Sequence, residues 1–202
     1  MSLDENEVAP MHKMRRSAQQ LSPEETAAIF ETGTSGVLAL IDADGLPYAV
    51  PLSYVYIDSP FAGASTEDSE VIGEAASANA RSHPVIYFHC ALSGHKLEAL
   101  AAHDRVSFCV IAADDVIAAQ YTTAYRSAIA FGRAHVVDDA DEKLSAVRAL
   151  GQKYNPTGTE EELSNEIAHG LARMHMIRLG IDRMTGKEGI ELTRARKRSA
   201  RD

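Results

Sequence analysis

Short apolar runs rich in β-branched and aromatic residues recur along the chain and predict β-strands. They cover residues 36–42, 48–57, 85–91, 105–111, 126–137 and 175–181. Asp44-Gly45, between the first two runs, is a typical hairpin signal. Because the runs do not alternate regularly with helices, we expect a mainly β fold, an antiparallel barrel of six strands with peripheral helices.

Three longer segments carry apolar residues at helical spacing behind acidic first turns. Ser22 and Pro23 begin a helix over 22–32, and acidic runs begin two more, over 141–154 and 161–173. Pro156-Thr-Gly158 separates the last two. We expect these helices to lie outside the barrel.

A fourth, shorter helix follows the strand over 85–91, and its first turn has the opposite charge. Ser93 can cap a helix that begins near Gly94, and the next residues are His95 and Lys96. A cation there opposes the helix dipole and costs up to about 1 kcal/mol unless an anion lies between them. The pattern therefore predicts an anion site, such as a phosphate site. The alternative is that both side chains simply point into solvent.

Proline and glycine mark special positions inside two strand runs. Pro51 cannot donate to a ladder, so it indicates an edge, a bulge or a break in its strand. Gly132 is expected to mark a bulge. Residues 59–83 lack a strand period, and we expect disorder or a short Ala-rich helix there.

The size and composition of the chain predict one medium domain with tails. With 202 residues, 45% of them hydrophobic, it can bury a substantial core. We place the domain at residues 21–190, with 59–84 as an inserted loop. Residues 1–20 form an N-terminal arm, and the basic C-terminal tail, 191–202, is expected to be disordered.

The charge and the cysteines indicate the cellular compartment and exclude some classes of partner. The net charge of -9 argues against nucleic acid as a partner, and no apolar run is long enough to span a membrane. Cys90 and Cys109 lie in apolar strand patterns, so we expect buried free thiols in a reducing compartment. We therefore expect a cytoplasmic protein without an export signal.

Few residues suggest acid–base or metal chemistry. The eight histidines form no His-x-x-x-His pair beside an acid, and the cysteines lack Cys-x-x-Cys spacing, so no metal site is expected. No Gly-x-Ser-x-Gly elbow supports a hydrolase. His89 is a candidate catalytic residue, but it could equally be satisfied by hydrogen bonds within the fold.

Four segments together resemble a known family. They are residues 50–54 (VPLSY), 87–100 (YFHCALSGHKLEAL), 105–110 (RVSFCV) and 121–133 (YTTAYRSAIAFGR). In that order they resemble the flavin-binding split-barrel proteins related to pyridoxamine 5'-phosphate oxidase, and most of all the nitroimidazole-resistance group. The resemblance runs from about residue 15 to 186. It implies a homodimeric antiparallel split barrel that holds FMN at the dimer interface.

The resemblance also implies which residues bind FMN. It places the flavin ring against Val50, Pro51, Leu52 and Ser53, and the end of the next strand, His89, Cys90 and Ala91, beside the cofactor. Gly94, His95 and Lys96 correspond to the turn that holds the phosphate. Arg126 and Ser127 correspond to a polar pair that reaches the flavin from the other protomer.

The implied function is an FMN-dependent oxidoreductase, with NAD(P)H as a possible donor and nitro compounds such as 5-nitroimidazoles as possible acceptors. The oxidases carry Arg-Lys where this chain has His95-Lys96, so its phosphate affinity should be weaker or depend on pH. They also use a C-terminal segment with tryptophan, and this chain has none, so pyridoxamine phosphate oxidation itself is not expected. The alternative is a flavin- or haem-binding module without turnover. Tyr121 and Tyr125 suit either dimer packing or substrate contact.

Overall fold

Residues 14–58 and 83–199 are described by the computed structural model, and they contain seven antiparallel strands and five α-helices. The strands are β1 Ser35–Ile41, β2 Pro47–Ser53, β3 Val55–Ile57, β4 Val85–Cys90, β5 Arg105–Ile117, β6 Thr122–Val136 and β7 His175–Glu188. The helices are α1 Pro23–Thr32, α2 His95–Ala102, α3 Ala140–Tyr154, α4 Glu160–Gly170 and α5 Ile190–Ser199. The inserted segment expected at 59–83 falls almost wholly outside the described residues.

The order of strands shows that the sheet closes into a barrel. The order is β2-β1-β5-β6-β7-β4-β3, so β2 and β3 are its two edges. A single residue, Tyr54, separates them along the chain. Two edges joined by one residue must lie close together, because consecutive Cα atoms are only about 3.8 Å apart. The predicted mainly β barrel is confirmed, with one strand more because the run over 48–57 is divided at Tyr54.

Local sequence signals explain several elements. Ser22 accepts a hydrogen bond from the Glu25 N–H at 3.2 Å, and the Glu25 carboxylate accepts the Ser22 N–H at 2.8 Å, which is the capping box of α1. Gly45, with φ of 80°, forms the predicted turn between β1 and β2. Pro51 lies on an edge strand, the position in a sheet where proline is tolerated.

Two hydrophobic cores lie on opposite sides of β4. Phe88 and its alternate neighbour Ile86 point into the barrel, whereas Val85 and Tyr87 pack beneath α3 and α4. The face of β4 that carries Tyr87 is covered by α3, and within the strand only His89, near its end, is exposed.

The β5–β6 hairpin is longer than the apolar pattern indicated. β5 continues to Ile117 and β6 begins at Thr122, so Tyr125 lies within a strand rather than in a connection. The predicted bulge is confirmed by a register shift between Phe131 and Gly132. Gly132 is required there because a Cβ would collide with the backbone oxygen of Gly180 on β7.

Both terminal segments pack more than their polarity suggested. The C-terminal tail was expected to be disordered, but residues 190–199 form α5. The physical reason is an ion-pair network, since Arg196 contacts Glu25 at 3.0 Å and Glu188 at 2.8 Å. At the other end, Gln19 is buried and Gln20 bridges to Lys187 of β7.

Candidate functional site

The turn from β4 into α2 forms a helix start without a side-chain cap. Gly94 is the N-cap residue, with φ of 137°, and no side chain among residues 14–58 and 83–199 accepts a hydrogen bond from the first turn. Ser93, which we expected to cap the helix, does not do so. α1, α3 and α4 differ, because Ser22, Asp139 and Thr159 cap them. Within the part of the chain that the structure describes, the first-turn N–H groups of α2 therefore lack a side-chain acceptor, which is the arrangement of an anion site.

His95 is held by neighbouring side chains of the same chain. Its Nε2 lies 3.6 Å from the Asp42 carboxylate, its Nδ1 lies 3.8 Å from Glu98, and its ring stands 4.7 Å from that of Tyr48. Asp42 is itself fixed, because its Oδ1 accepts N–H bonds from the β1–β2 turn. His95 thus fastens α2 to that turn, and its positive charge, when present, already faces carboxylates.

Lys96 differs from His95 because it makes no ion pair with any described residue. The side chain is half-buried. It lies close enough to Cys90 to affect that thiol: burial raises the pKa of Cys90, and the charge of Lys96 offsets part of the rise. Of the predicted pair, Lys96 is therefore the cation that remains free for an anion at the start of α2.

The predicted ring-contact residues come from the ends of β2 and β4. Val50 and Leu52 turn towards the barrel core, whereas Pro51 and Ser53 point outward. Ser53 and the exposed His89 line one common cavity, so the fold brings these two predicted residues together. Because β2 is an edge strand, its outer backbone groups have no neighbouring strand.

Arg126 and Ser127 are not brought to this place by the chain itself. They lie on β6, which β5 and β1 separate from β2 in the sheet. The Nη2 of Arg126 donates to the fully buried Glu188 carboxylate at 2.8 Å, and Arg196 of α5 donates to the other oxygen of that carboxylate at 3.0 Å. Arg126 therefore has a structural task in its own protomer.

Some residues around the site escaped the sequence reasoning. Asp42 and Tyr48 hold His95, and residues of α3, α4 and the segment before β7 complete the cavity beside His89. The local pattern marks Asp42 only as the end of a strand and the helical residues only as parts of amphipathic helices. These residues come close together only when the barrel closes, and no local sequence pattern predicts that closure. Within the described residues, no cluster of three or more His, Cys, Asp or Glu could hold a metal ion.

Most of the chain matches the model of a known protein family. The model of the pyridoxamine 5'-phosphate oxidase family matches residues 22–188, which includes every strand and all predicted site residues. No curated protein matched the sequence.

Solved structures show the same fold at low sequence identity. A protein named for 5-nitroimidazole antibiotic resistance from Bacteroides thetaiotaomicron is 17% identical, with 84% of this chain and 86% of that chain covered and a TM-score of 0.60. An FAD- and heme-binding protein from Mycobacterium smegmatis is 22% identical, with 85% and 73% covered and a TM-score of 0.58. A flavocytochrome from Azotobacter vinelandii is 16% identical, with 88% and 72% covered and a TM-score of 0.60. At these identities the likeness concerns the fold alone.

Proposed function

Because the chain belongs to the pyridoxamine 5'-phosphate oxidase family of flavin-binding split barrels, we propose that it is an FMN-dependent oxidoreductase. The observation that carries the proposal is the start of α2. It combines a glycine N-cap, a first turn without a side-chain cap, and a lysine without an ion pair among residues 14–58 and 83–199. These features suit a phosphate monoester, which is the only charged group of FMN.

The residues present fit the phosphate end of FMN. Backbone N–H groups of Gly94, His95 and Lys96 would donate to phosphate oxygens, and the Lys96 ammonium would neutralise their charge. Gly94 has open space around its α-carbon, so a ligand can approach the backbone closely. His95 acts chiefly as a positioning residue, since Asp42 and Tyr48 hold its ring.

The ring end of FMN would lie along the outer edge of β2. Pro51 and Ser53 present that surface, and His89, which lines one cavity with Ser53, would border it together with Cys90 and the following Ala91. FMN supplies two-electron hydride chemistry when it is bound, so the protein needs to contribute position, electrostatics and a dry pocket. Cys90 takes no part as a nucleophile, because burial raises the pKa of its thiol and keeps it protonated near neutral pH.

A homodimer is part of the proposal, since Arg126 and Ser127 would reach the flavin only from a second copy. The outer part of the β5–β6 hairpin supports this, because it exposes apolar side chains such as Val116, at 76%, and Tyr121, at 99%. A two-stranded ribbon with exposed apolar residues is marginal in water unless another surface covers it. Tyr121 is therefore assigned to dimer packing.

The proposed reaction transfers electrons from NAD(P)H to small nitro-aromatic compounds such as 5-nitroimidazoles. The two free cysteines suit a reducing compartment, so a cytoplasmic setting belongs to the proposal. The FAD- and heme-binding protein and the flavocytochrome make a non-catalytic flavin or haem module the competing possibility. An absorption spectrum separates flavin from haem, and turnover separates an enzyme from a module.

The test begins with purified protein. Denaturation should release FMN rather than FAD, light scattering should give the mass of a dimer, and the FMN-loaded protein should oxidise NAD(P)H faster when a 5-nitroimidazole is present. A colourless protein that fails to bind added FMN, or one with a haem spectrum, would contradict the cofactor assignment. FMN binding without NAD(P)H oxidation would favour the non-catalytic module.

A further inference from the structure

A second feature lies beside the proposed flavin edge, a cavity of about 300 Å³ between the barrel and the α3–α4 pair. Its barrel side is formed by Ser53 and His89, the two outward residues at the ends of β2 and β4. Its outer wall is mainly aliphatic and is formed by Val147, Leu150, Leu163, Ile167 and Met174.

The walls of this cavity are fixed by packing. Val147 and Ile167 belong to the second core, and Leu163 packs against that core. A Cβ at Gly151 would collide with the Leu163 side chain, so α3 and α4 approach closely at this glycine. The Tyr154 hydroxyl accepts the Tyr54 N–H at 3.0 Å and ties the end of α3 to the junction of β2 and β3. A preformed apolar cavity is the usual form of a small-molecule site.

The polar groups of the cavity are few and carry no permanent positive charge. Among the described residues that line it, Glu166 is the acidic side chain, His89 can donate or accept a hydrogen bond, and there is no lysine or arginine. A phosphate or carboxylate placed here would meet the carboxylate of Glu166, which is exposed to solvent, without a cation among the residues that line the cavity. A neutral or cationic ring would bury apolar surface and keep one polar edge at His89.

We propose that this cavity is the second-substrate pocket and that it selects small, flat, apolar molecules that are neutral or cationic, and rejects phosphorylated or carboxylate substrates. The proposal rests on the proposed flavin function, because it takes Ser53 and His89 as the border shared with the flavin. The size agrees, since an apolar cavity of about 150 Å³ holds a benzene ring, and this one is about twice as large. Glu166 is thereby assigned as the residue that determines charge selectivity.

The test is a binding measurement that does not depend on turnover. Protein labelled with ¹³C at the methionine methyl groups is titrated at neutral pH with benzyl alcohol, benzylamine and benzoate. The Met174 signal is identified with a Met174→Leu variant, and apo and FMN-loaded protein are both titrated. We expect benzyl alcohol and benzylamine to shift the Met174 signal, with benzoate binding about fivefold more weakly, the effect of one like charge at about 4 Å in water.

Two variants of α4 provide a matched comparison. Glu166→Arg should reverse the order so that benzoate binds more tightly than benzylamine. Glu161→Arg, the same change at another exposed position of α4 that does not line the cavity, should leave the order as in the wild type.

Equal effects of the two arginine variants would overturn the proposal, as would tightest binding of benzoate to the wild type or no Met174 shift up to the solubility of the probes. Competition between FMN and benzyl alcohol would also overturn it, because the cavity would then belong to the flavin site. Failure to bind FMN while Met174 still responds to the probes would instead count against the proposed function alone.

Discussion

Two basic regions of the molecule, the start of α2 and the contact between β6, β7 and α5, use their cations in opposite ways. In the second region, Arg126 and Arg196 both donate to the buried Glu188 carboxylate, and Arg196 also pairs with Glu25 of the α1 capping box. In the first region, Lys96 lies at the positive end of a helix dipole without a carboxylate partner among the described residues. The comparison indicates that the arginines stabilise the fold and that Lys96 is available to a ligand.

The difference also changes how the predicted flavin residues should be tested. Loss of Arg126 disturbs a buried carboxylate, so weaker FMN binding by an Arg126 variant could come from the fold. Lys96 has no such structural partner in the described ranges, 14–58 and 83–199. A loss of FMN affinity in a Lys96 variant can therefore be assigned to the ligand contact.

The largest expected change in stability follows from removing the Glu188 carboxylate, which the two arginines share. Glu188→Ala should lower the free energy of unfolding by about 3 kcal/mol, the lower end of the range for a broken buried pair, because both arginines are 38% exposed and can be hydrated. Urea denaturation measures this. Glu161→Ala is the control, since that carboxylate is exposed, and a change within about 0.5 kcal/mol is expected. Equal losses of stability in the two variants would contradict a structural role for the Glu188 network.

The same network predicts a response to acid. Burial alone would raise the pKa of Glu188, but hydrogen bonds from Arg126 and Arg196 outweigh it and lower the pKa below the ordinary 4.5. As the pH falls, the unfolded chain therefore binds this proton first, and the stability from the ionised carboxylate is lost below about pH 4.5. The stability difference between wild type and Glu188→Gln should stay constant above that pH and narrow below it. A difference that grows in acid would contradict the assignment.

The start of α2 depends on its glycine. Gly94→Ala should cost about 1 to 3 kcal/mol in the free energy of unfolding, because a φ of 137° lies in a region that only glycine readily adopts. No neighbouring atom would obstruct the new methyl group, so the cost is conformational. Gly180→Ala is the control, since its φ is not positive and its added Cβ would make ordinary contacts. If Gly94→Ala left the free energy of unfolding unchanged, this turn would not be held in the described conformation.

The smallest effect concerns Lys96 in the apo-protein. Lys96→Ala should leave the free energy of unfolding unchanged or raise it by about 0.3 to 1 kcal/mol, because it removes a cation from the positive end of the α2 dipole. Arg126→Ala should change stability in the opposite direction. Chemical denaturation of both apo-variants measures the contrast, and a clear destabilisation by Lys96→Ala would mean that Lys96 supports the fold.

Sequence signals predicted the features that depend on neighbouring residues. The capping box at Ser22, the turn at Gly45 and the bulge at Gly132 were all indicated by local patterns, and Pro51 correctly marked an edge strand. The start of α2 near Gly94 was also indicated locally, and its first residues, His95 and Lys96, are unusual beside three helices that begin with acids. That this turn holds a phosphate stays a prediction.

Features that depend on distant residues could not be predicted in this way. The basic C-terminal segment suggested a solvated tail because its partners, Glu188 and Glu25, lie on other elements. The contact of His95 with Asp42 likewise needs the β1–β2 turn to meet α2 across the barrel. The sequence shows which charged residues lack a partner nearby in the chain. The fold shows which of them find a partner on another element.

The most direct test of the account is a pair of titrations, FMN and riboflavin, into the apo-forms of wild type and Lys96→Ala. Loss of a charge-assisted contact worth about 1.5 to 3 kcal/mol should weaken FMN binding roughly 10- to 150-fold. Riboflavin lacks the phosphate, so its weaker affinity should be nearly the same for both proteins. Equal losses for the two ligands would contradict the account, because Lys96 would then act through the fold and not on the phosphate.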